Sequence, residues 1–257
     1  MSSGAAIGTL HGERCSVVLT MDDALWTARA LHGEASSNAA GRANEHRAIV
    51  SVWLRRWAKV NDRRIKGGEA PLWPSFTDLV RAHSQPVNPR WSDDPRTAEV
   101  DGDLARANPS RATPAQLARR QRIQSLDWES IPLPVRRIVL ALLSGADPLT
   151  ARTAIDFAAP TLWERYGARW STREERERTL PGAVRAKDAA RSSPRGDEYI
   201  RVPDVDRGGN VFITDRTGRA GREPYVSGEG AAPSIVKALI LGVLGVVAVA
   251  VVGGGAA

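Results

Sequence analysis

Residues 25–35 have the sequence Leu-Trp-Thr-Ala-Arg-Ala-Leu-His-Gly-Glu-Ala, in which one carboxylate, Glu34, directly follows a glycine at the end of an apolar helical pattern. Leu25, Ala28 and Leu31 recur at three-residue steps, which is typical of one helix face. A helix C-terminus carries partial negative charge and therefore disfavours an ionised carboxylate. Partial burial would raise the pKa of Glu34 further, and a carboxyl group that stays protonated near neutral pH can donate a proton to a glycosidic oxygen. An ordinary helix end without a functional role is the alternative for this glutamate taken alone.

The hydropathy pattern around this stretch predicts a mostly helical domain with a short β element. Asp22 or Asp23 can cap the first helix, which should end between Gly33 and Ser37. Prolines and polar runs interrupt the pattern at several points, so the other expected elements are separate pieces. They are helices at Asn44–Val60, Phe76–His83, Pro114–Gln124 and Pro134–Ser144, a solvated helix face at Thr172–Arg178, a strand at Val211–Ile213, a loop at Asn61–Trp73, an extended segment at Gln85–Pro95 and a polar excursion at Arg96–Pro114.

Several short motifs follow one another in a recognisable order. Residues 31–35 are similar to a helix end of the type aromatic or small residue, Gly or Ala, Glu, Ala. Residues 45–56 are similar to Gly-Gln-x-Ala-Val-x-x-Val-x-x-Asn-Arg, with Arg56 at the matching arginine. Residues 76–86 are similar to a short apolar segment followed by a Gln-Phe pair, although Pro86 replaces the aromatic residue.

The same order continues towards the C-terminus. Residues 142–148 match an apolar helix followed by Gly-x-x-Asp-Pro, Phe157 and Pro160 match an aromatic and a proline after it, and residues 209–212 match a terminal glycine-aromatic strand. Taken together, these motifs resemble the spore-cortex-lytic type of cell wall hydrolase, a family with a lysozyme-like core that acts on peptidoglycan. The resemblance covers roughly residues 21–215 and depends on order and spacing.

The resemblance implies an α+β, predominantly helical, lysozyme-like domain, which we place at residues 21–216. It also implies a lytic transglycosylase that cleaves the β-1,4 bond between N-acetylmuramic acid (MurNAc) and N-acetylglucosamine (GlcNAc). Glu34 would protonate the leaving oxygen and then, as a carboxylate, deprotonate the C6 hydroxyl of muramic acid, which gives a 1,6-anhydro product. Gln85 would hydrogen-bond the sugar or hold the acid, although an ordinary loop amide is an equal alternative for it. Asp147 is more often a turn residue than a ligand.

Ordinary hydrolysis would need a second carboxylate about 5 to 9.5 Å from the first. Asp78, Glu45 and Asp156 are the candidates, and their spacing selects none of them, so we expect the reaction that uses a single acid. The chain contains eight tryptophans, whose flat amphipathic rings suit both core positions and sugar-binding walls. Trp26 and Trp91 are expected to stack on the substrate.

Two positions depart from the family's motifs. Arg55 stands where the family has asparagine, and residues 149–152, Leu-Thr-Ala-Arg, stand where the family has Gly-Gly after Asp-Pro. These departures affect substrate contacts and leave open whether the domain is active. We expect no metal or cofactor, because the histidines near the motifs and the single cysteine are not spaced as ligands; these residues are His32, His46, His83 and Cys15.

The net charge of +7 comes almost entirely from arginine, since the chain has only four lysines. Such a surface favours polyanions, including anionic lipid, nucleic acid and the acidic polymers of a bacterial envelope. The chain has no dense basic run with interleaved aromatic residues, so specific nucleic-acid binding is a minor alternative. A single cysteine excludes an intrachain disulfide framework.

The two ends of the chain differ in character. Residues 1–20 have no signal-peptide pattern and are expected to form a loosely ordered leader with one short strand. Residues 217–233 are rich in Gly, Pro and Ala and indicate a linker, and residues 234–257 indicate a membrane anchor. From Ala238 to the end there are twenty uncharged residues, about the number that a transmembrane helix needs. A buried C-terminal helix is the alternative.

A wall-cleaving domain with a C-terminal anchor and no signal-peptide pattern fits a phage virion component that breaches the host wall, or a tail-anchored bacterial enzyme. Its expected partners are peptidoglycan glycan strands, a membrane and other virion proteins. A structural virion or membrane protein with an inactive lysozyme-like fold is the main alternative. A basic, DNA-associated membrane protein is a further one.

Overall fold

The computed structural model describes residues 4–34, 42–88, 114–158, 198–202, 205, 210–214 and 216–228. Helices and two antiparallel sheets make up this part of the chain. Among its helices, none is both long and apolar enough to span a membrane. The segments at 234–257 and 172–178, predicted to be a membrane anchor and a solvated helix, lie outside these ranges.

The helices occur close to the positions that the sequence predicts. In chain order the elements are β1 (Ala6–His11), β2 (Ser16–Thr20), α1 (Met21–Glu34), α2 (Ala43–Lys66), α3 (Phe76–His83), a 3-10 turn (Gln85–Val87), α4 (Pro114–Ser125), α5 (Leu133–Leu143), β3 (Asp156–Ala158), β4 (Glu198–Ile200), β5 (Val211–Thr214), α6 (Arg216–Arg219) and β6 (Tyr225–Ser227). The five predicted helices α1 to α5 are confirmed, as is the strand β5. The extended segment expected from Gln85 instead starts with the 3-10 turn.

Helix α2 continues six residues beyond its predicted end at Val60. Asn61 and Asp62 look like loop residues in the sequence, but the structure buries both. The Asn61 amide donates to the Trp73 carbonyl at 3.0 Å, and the Asp62 carboxylate accepts from the backbone N–H of Glu13 at 2.7 Å. The prediction of a loop starting at Asn61 is therefore wrong, because tertiary hydrogen bonds satisfy these polar groups within the helix.

The first twenty residues are not a loosely ordered leader. Strands β1 and β2 form an antiparallel hairpin, and β6 pairs with the other edge of β1, so the sheet order is β2-β1-β6. Leu10 and Leu19 from the hairpin are completely buried in the core. The expected linker likewise contains α6 and β6 within residues 216–227. The predictions of a loose leader and of a linker are both wrong for the same reason: β1 near the start of the described chain pairs with β6 near its end.

The core is built around α2, which packs against α1, α3 and α5. Trp53 and Ile49 on α2 and Leu142 on α5 are almost completely buried. The Trp53 ring meets the Phe157 ring edge-on at 5.9 Å, which joins α2 to the second sheet, ordered β3-β5-β4. Trp53 is therefore a core residue.

A buried arginine joins α2 to two distant segments. The Arg55 guanidinium is fully buried and donates to the carbonyl oxygens of Thr150 at 3.1 Å and Ala154 at 2.7 Å, and it pairs with the Glu223 carboxylate. Burial lowers the pKa of Arg55, and Glu223 opposes this shift. The Thr150–Ala154 loop that it holds includes left-handed backbone at Ala151, with φ 49°.

Arg55 and residues 149–152, which differ from the motifs quoted in the sequence analysis, are therefore in contact with each other. A guanidinium offers more donors than an amide and reaches further, so it can satisfy two carbonyls of this glycine-free loop at once. Arg55 and this loop thus form one hydrogen-bonded unit against α2.

We predict that Arg55→Met destabilises the protein by about 3 kcal/mol, because removing one partner of a buried ion pair leaves the other partner and the loop carbonyls unsatisfied. Chemical unfolding followed by circular dichroism measures this change. Arg63→Met, at an exposed position of the same helix, should change stability by less than about 0.5 kcal/mol. Equal losses in the two variants would contradict the role of Arg55.

Candidate functional site

Helix α1 is fixed at its start by a reciprocal cap. The Asp23 N–H donates to the Thr20 hydroxyl at 3.3 Å, and the Thr20 N–H donates back to the Asp23 carboxylate at 2.9 Å. The other oxygen of Asp23 accepts from the N–H and the hydroxyl of Thr77, at the start of α3. This arrangement satisfies orphan donors of both helices and fixes α1 against α3. It thereby sets where the far end of α1 lies.

Glu34 is the last residue of α1, and its side chain is half-buried. Its Oε1 accepts a hydrogen bond from the hydroxyl of Ser84 at 3.1 Å, and Ser84 is completely buried at the end of α3. Arg120 on α4 interacts with the same carboxylate. Burial lowers the pKa of Arg120, and the negative charge of Glu34 opposes that shift. Three elements thus meet around one carboxylate.

Gly33 allows these elements to meet. A β-carbon at position 33 would lie 2.3 Å from Cβ of Pro86 and 3.2 Å from Cδ1 of Ile123 on α4. Because a proline ring cannot move aside, only glycine permits this approach of the 3-10 turn. The Gln124 amide on α4 donates to the Pro86 carbonyl at 3.3 Å, which attaches the turn to α4 as well. The glycine before Glu34 thus has a direct packing reason.

Of the three predicted substrate-binding residues, Gln85 directly follows a residue that contacts Glu34. Gln85 is the first residue of the 3-10 turn and directly follows Ser84, so its backbone lies at the site. Trp91 lies outside the described residues. Trp26 is half-buried on α1, and the guanidinium carbons of Arg29 and Arg81 lie 4.6 and 4.5 Å from its ring centre. Its ring is thus already engaged by cations, and sugar stacking on Trp26 stays a prediction.

The three carboxylates considered for a second catalytic role each form a hydrogen bond or an ion pair elsewhere in the fold. Asp78 forms the capping box of α3 with Ser75. Glu45 is buried and accepts from the N–H of Asn210 at 2.8 Å, and it also pairs with Arg42. The third candidate shows the same pattern, since the carboxylate of Asp156 pairs with Arg56 at 3.3 Å. These contacts give each carboxylate a role in the fold.

The histidines are core or half-buried groups. Burial is the main cause that lowers the pKa of His32, His46 and His83, which favours their neutral forms. Within the described ranges, no three His, Cys, Asp or Glu side chains are grouped so that they could hold a metal ion.

Two residues of this site are absent from the sequence-based prediction. Ser84 belongs to a quoted motif, but a serine between a histidine and a glutamine carries no signal of its own role. A weak signal for Arg120 exists in the Arg-Arg pair of a short polar helix, which predicts only an exposed cation. Both reach Glu34 through tertiary packing that local periodicity does not encode.

Comparisons of the chain with models of known protein families, with curated proteins and with solved structures found no match.

We predict that Gly33→Ala destabilises the protein by about 1 to 3 kcal/mol, the usual cost of overpacking, because the new methyl group would overlap the Pro86 ring. Thermal unfolding monitored by circular dichroism provides the measurement. Gly4→Ala is the matched control, since a β-carbon at position 4 has no atom within 4 Å. If both variants unfold at the temperature of the parent, the close approach at position 33 is not a constraint.

Proposed function

We propose that this chain is a peptidoglycan lytic transglycosylase that cleaves the β-1,4 bond between MurNAc and GlcNAc, with Glu34 as its acid and base. The observation that carries the proposal is a half-buried carboxylate at the end of α1, held by a buried hydroxyl from α3. It occurs at the position where the motif order resembles the acid of a wall-cleaving family.

The first step of the proposed reaction breaks the glycosidic bond. Protonated Glu34 gives its proton to the bridging oxygen, the bond from C1 of muramic acid to this oxygen breaks, and the GlcNAc-side fragment leaves as an alcohol. Charge that develops at C1 makes the muramyl ring oxocarbenium-like. Ser84 orients the Glu34 carboxyl through its hydrogen bond to Oε1.

The second step closes a ring within the same sugar. Glu34, now a carboxylate, takes the proton of the C6 hydroxyl, and the C6 oxygen bonds to C1 to give the 1,6-anhydro product. The proton returns to Glu34, so no water is consumed. Arg120 stabilises the carboxylate form of Glu34 that exists between the two steps. The structural roles of Asp78, Glu45 and Asp156 support a reaction without a second carboxylate.

The setting of this activity is part of the proposal. Residues 234–257 form the proposed membrane anchor, and a virion component that acts at the host envelope is the arrangement that fits it. Uncharged sequence from Ala238 onwards supports the anchor. A tail-anchored bacterial enzyme would use the same site.

We predict that Glu34→Gln lowers the cleavage rate at least about 100-fold, the usual contribution of a general acid. Full-length protein in non-ionic detergent is mixed with purified peptidoglycan, and the products are analysed by mass spectrometry. Anhydromuropeptides from the parent are the expected product.

Asp78→Asn, which changes a carboxylate of the α3 cap, should retain cleavage and serves as the control. Reducing ends instead of anhydro ends would identify a hydrolase. No cleavage by the parent would indicate the structural alternative, a virion or membrane protein with an inactive fold.

We predict that Arg120→Gln moves the alkaline limb of the pH-rate profile to higher pH, because an adjacent cation eases the loss of a carboxyl proton. The acid step requires the protonated form of Glu34, and without the guanidinium that form should persist to higher pH. Rates measured between pH 4 and 9 at constant ionic strength, on the order of 0.1 M, test this. Arg137→Gln, an exposed charge on α5, should leave the limb in place, and a limb that stays fixed in both variants would contradict the role of Arg120.

A further inference from the structure

Helix α4 presents arginines beside the end of α1. Arg119 and Arg120 precede Ile123 by four and three residues, so all three lie on one side of the helix. Ile123 is buried and would be 3.2 Å from a β-carbon at Gly33, so this side faces the end of α1. Arg119 is exposed. We call the exposed arginines of α4 beside the end of α1, Arg119 and Arg122, the cationic rim of the candidate site.

Arg122 belongs to the same rim. It is exposed and lies three residues after Arg119, which makes the two arginines neighbours on the helix surface. Both charges act on His32, which lies two residues before Glu34: after burial, they are the causes that lower its pKa. Helix α4 also packs directly against α1, so both arginines belong to the part of α4 beside the end of α1.

These two charges have no acidic partner in the part of the chain that the structure describes. The ion pairs within the described ranges involve arginines of α2 and of its flanks, and none includes Arg119 or Arg122. Like charges three residues apart on a helix repel each other. Two neighbouring cations of this kind attract an anionic ligand.

We propose that Arg119 and Arg122 bind the carboxylates of the stem peptide on the muramic acid residue at the scissile bond. This inference depends on the proposed function, and it specifies the substrate as glycan strands that carry free-acid peptides. Arginine suits this partner, because its planar fork of donors matches a carboxylate.

The position of the rim favours stem peptides over phosphodiester wall polymers. A stem peptide is attached to the same muramic acid whose C1–O bond breaks, so its carboxylates are present at every cleavage site. Wall polymers are attached through C6 of muramic acid, and that oxygen must be a free hydroxyl for the anhydro ring to form. A muramic acid that carries such a polymer could not complete the reaction, so a site beside Glu34 gains little from binding its phosphates.

The test measures binding separately from cleavage. Full-length Glu34→Gln in non-ionic detergent is titrated with soluble glycan strands of three kinds: strands with free-acid stems, strands whose carboxylates are converted to amides with carbodiimide and ammonia, and strands freed of phosphodiester polymers with hydrofluoric acid. The same titrations are repeated after adding Arg119→Gln and Arg122→Gln together, or Arg137→Gln as a matched loss of exposed charge. Unfolding midpoints are compared to show that each variant folds.

We expect the double substitution to weaken binding of free-acid strands about fivefold, the effect of losing two exposed ion pairs. Amidated strands should bind equally weakly to the Glu34→Gln protein and to the protein with the two further arginine substitutions. Addition of Arg137→Gln should leave the binding of the Glu34→Gln protein unchanged. If the Glu34→Gln protein bound amidated and free-acid strands equally well, the proposal would be overturned. The proposal would also be overturned if removing the phosphodiester polymers lowered the affinity and amidating the carboxylates did not.

The binding and cleavage results separate the two proposals. If the parent chain does not cleave peptidoglycan but its Glu34→Gln form still binds free-acid strands through Arg119 and Arg122, the enzymatic function fails and the peptide-binding rim remains. If the unsubstituted chain cleaves peptidoglycan but the affinity for glycan strands does not depend on the charge of the stem peptides, the proposed peptide-binding role of Arg119 and Arg122 is wrong and the enzymatic function remains.

Discussion

The close approach of Pro86 to Gly33 is the constraint on which the candidate site depends. A methyl group at position 33 would push the 3-10 turn away from α1, and Ser84 with it. The same glycine lets Ile123 of α4 reach the end of α1. One missing side chain therefore determines whether the hydroxyl from α3 and the guanidinium from α4 can both reach Glu34. The Gly-Glu pair is a packing requirement as well as a chemical one.

Helix α2 carries a second set of buried polar contacts. Ser51, Arg55, Lys59 and Asp62 follow one another at steps of three or four residues along one side of this helix. Their partners belong to other segments: the Thr150–Ala154 loop, the carbonyl oxygens of residues 220–222 and the N–H groups of residues 13–15. A buried polar network of this kind favours one arrangement of the chain, because other arrangements leave its groups unsatisfied. It explains why sequence-distant loops close on α2.

Local periodicity in the sequence predicts α1, α2, α3 and α5, since their apolar residues repeat with the helical period, and Pro114 at an early helical position predicts α4. The pairing of β1 with β6 could not be predicted in this way. Each strand is short, and its partner lies at the other end of the described chain. Asn61 and Asp62 show the same limit, because their polar side chains are satisfied only by tertiary contacts. Similarly, Glu34 stands out because of its local setting, whereas Ser84 and Arg120 acquire their places through packing.

Two opposing influences act on the proton of Glu34. The helix end and partial burial favour the neutral acid, and the adjacent guanidinium of Arg120 favours the carboxylate. A group that only donated a proton would be served by the first influence alone. The proposed reaction asks Glu34 to give a proton and then to take one. A cation beside the carboxylate is compatible with catalysis by a single acid, because the second step of the proposed reaction needs Glu34 ionised.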